Sequence, residues 1–75
     1  MININMTAII ETINKAIELA RKNGKKTAIA AFVKDHDNKL ARQILEDLAA
    51  NGWHASYTKN YSYDNQVSIE YEIEL

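Results

Sequence analysis

Residues 27–61, TAIAAFVKDHDNKLARQILEDLAANGWHASYTKNY, decide the fold, because they contain a strand, a helix and the first half of a hairpin in succession. The opening run, residues 27–33, is almost entirely apolar and too short for a helix, so it predicts a strand. The run has no polar alternation. This indicates that both faces of the strand are covered, or that one face is available to a partner.

The helix of this stretch is predicted by apolar residues that recur on one side of a 3.6-residue period. These are Leu40, Ala41, Ile44, Leu45, Leu48 and Ala49. Asp37 is the predicted N-cap, because its carboxylate can accept hydrogen bonds from the free amides of the first turn. Asn51-Gly52 predicts the end of the helix, with Gly52 in the left-handed conformation.

The strands of the hairpin are placed by the alternation of residues 66–75, in which apolar residues face one way and glutamates the other. A three-residue loop, Tyr63-Asp64-Asn65, with Asn65 left-handed, sets Tyr57 opposite Tyr71. A two-residue turn, Asp64-Asn65, shifts the parity and places the tyrosines of residues 57–63 on the glutamate side. The three-residue loop is favoured because it gives one apolar face and one wet face.

An earlier helix precedes this stretch, beginning at Ile4-Asn5-Met6 with Asn5 as cap and ending at Asn23-Gly24. The predicted fold is therefore a single α+β domain, residues 1–75, in the order helix, strand, helix, strand, strand. Two helices pack on one face of a three-stranded mixed sheet, which leaves the other face bare. The split β-α-β strand order 1-3-2 is favoured over 1-2-3.

The composition limits how the domain can be stabilised. A chain of 75 residues with no cysteine has neither disulfides nor thiolate metal ligands, so well-packed helices or self-association must supply its stability. No run is apolar enough to span a membrane and no leader is recognisable, so a cytoplasmic location is expected. The Asn-, Ile-, Lys- and Tyr-rich usage is typical of an AT-rich genome, such as that of a phage. No cofactor is predicted.

The charges of the chain are unevenly distributed. Residues 1–34 carry six basic and two acidic side chains, a net +4, whereas residues 35–75 carry three basic and eight acidic ones, a net −5. The basic half contains a cluster at Arg21, Lys22, Lys25 and Lys26. Such a cluster can bind nucleic acid or another anion, or it can simply complement the dipole of its own helix. It is not a P-loop, because G-x-x-x-x-G-K-[ST] is missing.

A protein interface is predicted on the uncovered sheet face, where Glu70, Glu72 and Glu74 form a row on the last strand. Phe32 is the predicted apolar centre of this face, or Ile29 and Val33 if the strand has the opposite parity. An apolar centre with a polar rim is typical of interfaces.

Two further clusters are interpreted as structural. The sequence Asp35-His36-Asp37 fits a turn that ends in an N-cap, and His54 opposite Glu74 fits an exposed cross-strand pair. Since acid, base, nucleophile and pocket do not converge, the protein is not expected to be an enzyme. The leading hypothesis is a protein-interaction module, a small regulator or inhibitor that binds a protein partner and forms a homodimer. Nucleic-acid or anion binding through residues 21–26 is the alternative.

Overall fold

The computed structural model of the protein describes residues 4–32, 37–64 and 66–75. Its elements are α1 (Ile4–Lys22), β1 (Thr27–Phe32), α2 (Asn38–Ala50), β2 (His54–Tyr61) and β3 (Val67–Glu74). The three strands form one sheet in the order β1-β3-β2, with α1 packed on β1 and α2 on β2. The predicted α+β fold and the 1-3-2 strand order are confirmed.

The sheet is antiparallel throughout, so the prediction of a mixed sheet is wrong. The crossover through α2 makes β1 and β2 run in the same direction, but β3 lies between them. A parallel pair would form only if β1 and β2 were neighbours, as in the rejected 1-2-3 order.

The hairpin has the register predicted for a three-residue loop. Tyr57 lies opposite Tyr71 and His54 opposite Glu74, and the Ser62 amide donates to the Gln66 carbonyl at 2.9 Å to close the loop. The predicted left-handed conformation at Asn65 lies outside the described residues.

Both helices end in the same glycine motif. Gly24 has φ 68° and Gly52 φ 87°, and the residue after each glycine donates its amide to a carbonyl five positions back. At the start of α2, Asp37 Oδ1 accepts from the Leu40 amide at 2.8 Å, as predicted. The helix α1 begins at Ile4, within the predicted opening Ile4-Asn5-Met6, but Asn5 lies within its first turn and is not the N-cap that was predicted.

The core lies between the sheet and the two helices. Tyr71 and Ile73 of the central strand are fully buried, as are Ile13 of α1 and Ile44 of α2. Ala28 and Ala30 are the buried residues of β1, and their small side chains allow close approach of α1. The intervening residues Thr27, Ile29 and Ala31 are exposed. The apolar run of β1 therefore has one covered and one uncovered face.

The parity of β1 can be tested with neighbouring alanines. Ala30→Lys places a charge among buried side chains and should lower the free energy of unfolding by about 3 kcal/mol or more. The side chain at position 31 points away from the helices, so Ala31→Lys should change the free energy of unfolding by less than about 0.5 kcal/mol. Urea unfolding of both variants measures the difference. Equal effects at the two positions would contradict this register.

Candidate functional site: the open sheet face

The open face of the sheet is the side turned away from α1 and α2. Its described residues are Thr27, Ile29 and Ala31 of β1, Ser68, Glu70, Glu72 and Glu74 of β3, and His54, Ser56, Thr58 and Asn60 of β2. The face thus has three zones, one on each strand: a mostly apolar strip on β1, an acidic row on β3, and hydroxyl, amide and imidazole groups on β2.

The acidic row is the main electrostatic feature of the open face. Its three glutamates alternate along β3, so neighbouring carboxylates stand about 7 Å apart along the strand. None of the described strand residues on this face is Lys or Arg. The local field is therefore negative and attracts cationic groups.

Ile29 is the large apolar side chain of this surface. It is 54% exposed and pairs across the sheet with Glu72, which in turn pairs with Ser56. Ile29 lies on an edge strand, so the apolar part of the face is a border beside the acidic row, not a centre within it.

Phe32 was the preferred apolar residue for this face, and that placement is wrong. Its ring packs edge-on against Tyr71 on the helix-covered side, with centroids 5.9 Å apart. The alternative parity, with Ile29 outward, is the one observed. Val33 lies outside the described residues.

His54 and Glu74 meet at one end of the open face. With Glu72, Thr27 and the cationic Lys26 they border a shallow, solvent-open depression of about 510 Å³. Within residues 4–32, 37–64 and 66–75, no three histidine or carboxylate side chains converge closely enough to hold a metal ion. In the predicted cluster Asp35-His36-Asp37, Asp37 is the N-cap of α2, while Asp35 and His36 lie outside the described residues.

The basic turn, comprising Arg21, Lys22, Lys25 and Lys26, surrounds the end of α1. All four side chains are exposed, and the Arg21 guanidinium lies 5.0 Å from the centroid of the Trp53 ring. This cation–π contact links the end of α1 to the residue that follows the α2 glycine motif. One of the four cations is thus already partly engaged within the fold.

Leu19 is a candidate functional residue that the sequence analysis missed. It is 60% exposed and borders a groove of about 260 Å³ between α1 and β1, together with Ala16, Ala20 and Ile29. The available signal was its position outside the buried stripe of Ile9, Ile13 and Ile17. An off-stripe leucine on an amphipathic helix indicates apolar surface left in solvent.

The hairpin end carries one perturbed carboxyl group. The Ser62 hydroxyl donates to the Asp64 carboxylate, and this hydrogen bond, aided by backbone amides, lowers the pKa of Asp64 below its usual 3.8. Tyr61 and Tyr63 are exposed beside it, whereas Tyr57 turns toward Asn38 of α2. These three tyrosine side chains therefore do not share one surface.

Comparisons with protein-family models, curated proteins and solved structures give no match. Neither described helix is both long enough and apolar enough to cross a membrane. Functional inference therefore rests on the surfaces themselves.

Ser62→Ala should raise the pKa of Asp64 toward 3.8, because the ionised carboxylate loses its main hydrogen-bond donor. In the wild type, the lowered pKa means that Asp64 favours the folded state near neutral pH and that this contribution is lost as the pH falls below about 3.8. NMR titration of the Asp64 carboxyl carbon measures the shift. Ser56→Ala, on the open face, serves as control, and an unchanged pKa in Ser62→Ala would contradict the assignment.

Proposed function

We propose that the protein is a non-catalytic protein-interaction module, a small regulator or inhibitor that binds a basic protein partner on its open face. The observation that carries this proposal is the exposed Ile29 beside a row of three glutamates. A sheet with helices on one side buries only half of its surface, and the described chain offers nothing to cover the other half.

The chemistry of the open face favours a cationic partner. Lysine or arginine side chains can pair with Glu70, Glu72 and Glu74, while an apolar group covers Ile29. Charge pairs at such an exposed rim mainly increase the association rate and the specificity, and they weaken with salt. The affinity itself then depends on the apolar contact at Ile29.

Self-association stays a prediction. Two open faces in direct contact would bring two glutamate rows together, and like charges at such distances repel. The acidic row therefore supports a partner of opposite charge more strongly than a second copy through this face.

Reversing one charge on each side of the molecule tests the proposal. Glu72→Lys should abolish salt-sensitive retention of protein partners from a cell extract, because it places a cation in the acidic row. Glu46→Lys makes the same change on the exposed surface of α2 and should retain them. Quantitative mass spectrometry of proteins held by each immobilised variant provides the measurement. Equal retention by both variants would refute binding through the open face.

We propose anion binding at the basic turn as a second candidate function, supported by the exposure of all four cations around one helix end. A single-stranded oligonucleotide is the appropriate probe, and its affinity should fall steeply with salt.

The double variant Lys25→Glu/Lys26→Glu should bind this probe at least about tenfold more weakly, because two phosphate-neutralising charges are reversed. The double variant Lys39→Glu/Arg42→Glu changes the charge equally on exposed α2 positions and is the control. Fluorescence anisotropy measures both. Equal affinity of the two double variants would remove the basic turn as the binding site.

A further inference from the structure

The unpaired edge of β1 differs chemically from that of β2, the other outer strand. Thr27–Phe32 contains no charged residue and no proline, which are the usual protections of an edge strand. The edge of β2 carries Lys59 and His54 instead. Among the described residues, β1 pairs only with β3. Within that part of the chain, its outer backbone groups have no strand partner, and they can form a ladder with another strand.

The direction of each β1 backbone group follows from one hydrogen bond. The Leu75 amide donates to the Lys26 carbonyl at 2.9 Å. Because alternate residues of an antiparallel pair bond the same neighbour, Ala28 and Ala30 also direct their amides and carbonyls toward β3. Thr27, Ile29 and Ala31 direct theirs away from the sheet.

A groove of about 260 Å³ lies between α1 and β1, where the helix packs on this strand. Leu19 of α1, which is 60% exposed, and Ile29 of β1 both border it. An apolar side chain placed beside β1 on the helix side can therefore contact Leu19.

A second copy of the chain matches the acidic row less well than a basic segment does. Its own β1, Thr27–Phe32, contains no lysine or arginine that could pair with Glu72. A basic segment of another protein supplies such cations.

We propose that the β1 edge binds an extended, basic segment of a protein partner as a fourth, antiparallel strand. The inference rests on the proposed function and specifies how the partner binds. Alternate apolar side chains of the segment lie under α1 against Leu19. The others lie on the open face, where lysine or arginine reaches across Ile29 toward Glu72.

The antiparallel direction is specified for a segment at the carboxyl end of the partner chain. Lys25 and Lys26 stand at the beginning of β1, where such a segment places its negatively charged terminal carboxylate. In the parallel direction, that carboxylate would lie at the other end of β1, away from both lysines.

A nine-residue peptide of alternating valine and lysine, with a free carboxyl end, is the probe. In the wild type, it should slow hydrogen exchange at the amides of Thr27, Ile29 and Ala31, which pair with no strand in the part of the chain that the structure describes. A peptide of alternating valine and glutamate should not bind. Protection that falls instead on the outward amides of β2, or no binding of the lysine peptide at about 1 mM, would overturn the proposal.

Two alanine-to-proline changes form a matched pair. Ala31→Pro removes an outward amide of β1 and should weaken peptide binding at least about tenfold. Ala55→Pro removes an outward amide from the opposite edge and should not weaken it. Ala55 directs its amide outward because the Ser62 amide donates to the Gln66 carbonyl. The even-numbered residues of β2 therefore direct their backbone groups toward β3, and the odd-numbered ones direct theirs away from it. Circular dichroism checks folding, and the exchange measurement on the wild type does not depend on either variant.

The outcomes separate this inference from the proposed function. If Ala31→Pro and Ala55→Pro bind the peptide equally while Glu72→Lys loses it, strand addition is wrong and the acidic face remains the binding surface. If sedimentation equilibrium shows a wild-type dimer that Ala31→Pro dissociates, a second copy occupies the edge and the proposal is overturned. Loss of peptide binding in Ala31→Pro alone, with a monomeric wild type, supports strand addition.

Discussion

The central strand β3 imposes the constraint on which the rest of the structure depends. It forms backbone hydrogen bonds with two neighbours, and the period of two decides which neighbour each residue serves. Odd-numbered residues such as Tyr71 bond toward β1 and turn their side chains to the helices, while even-numbered residues such as Glu72 bond toward β2 and face outward. A slip by one residue would bury the glutamates and expose the core. Because β1 and β2 both pair with β3, a single shift in the register of β3 would disrupt both pairings.

Features determined by neighbouring residues were predictable from the sequence. The glycine motif at Gly52, the Asp37 cap and the hairpin register each depend on a few consecutive residues. The face of β1 occupied by Phe32 did not follow from local pattern, since Thr27–Phe32 has no polar alternation to set its parity. That parity is imposed by pairing with β3, which is distant in sequence. The wrong prediction of a mixed sheet has a different reason. With β3 between β1 and β2, the predicted order 1-3-2 already makes both pairings antiparallel.

The candidate site divides in the same way. The acidic row followed from alternation along one strand. The groove beside β1 did not, because it forms only where α1 packs on β1. Leu19 is uninformative until α1 is placed over β1, and only then does its exposure describe a surface. The candidate binding groove thus depends on how α1 packs on β1, which neither segment determines by itself.

The pairing of Thr27 with Glu74 also bears on how the chain folds. The β2-β3 hairpin joins neighbouring segments through a short loop, so it can form early, although a two-stranded hairpin alone is barely stable in water. β1 reaches β3 only after nearly the whole intervening chain has been closed into a loop, which carries a larger entropic cost. We therefore expect the docking of β1 to be the slow step of folding. Until β1 docks, one edge of β3 has no partner strand. In a newly made chain, this edge can pair either with β1, which completes folding, or with another chain, which begins aggregation.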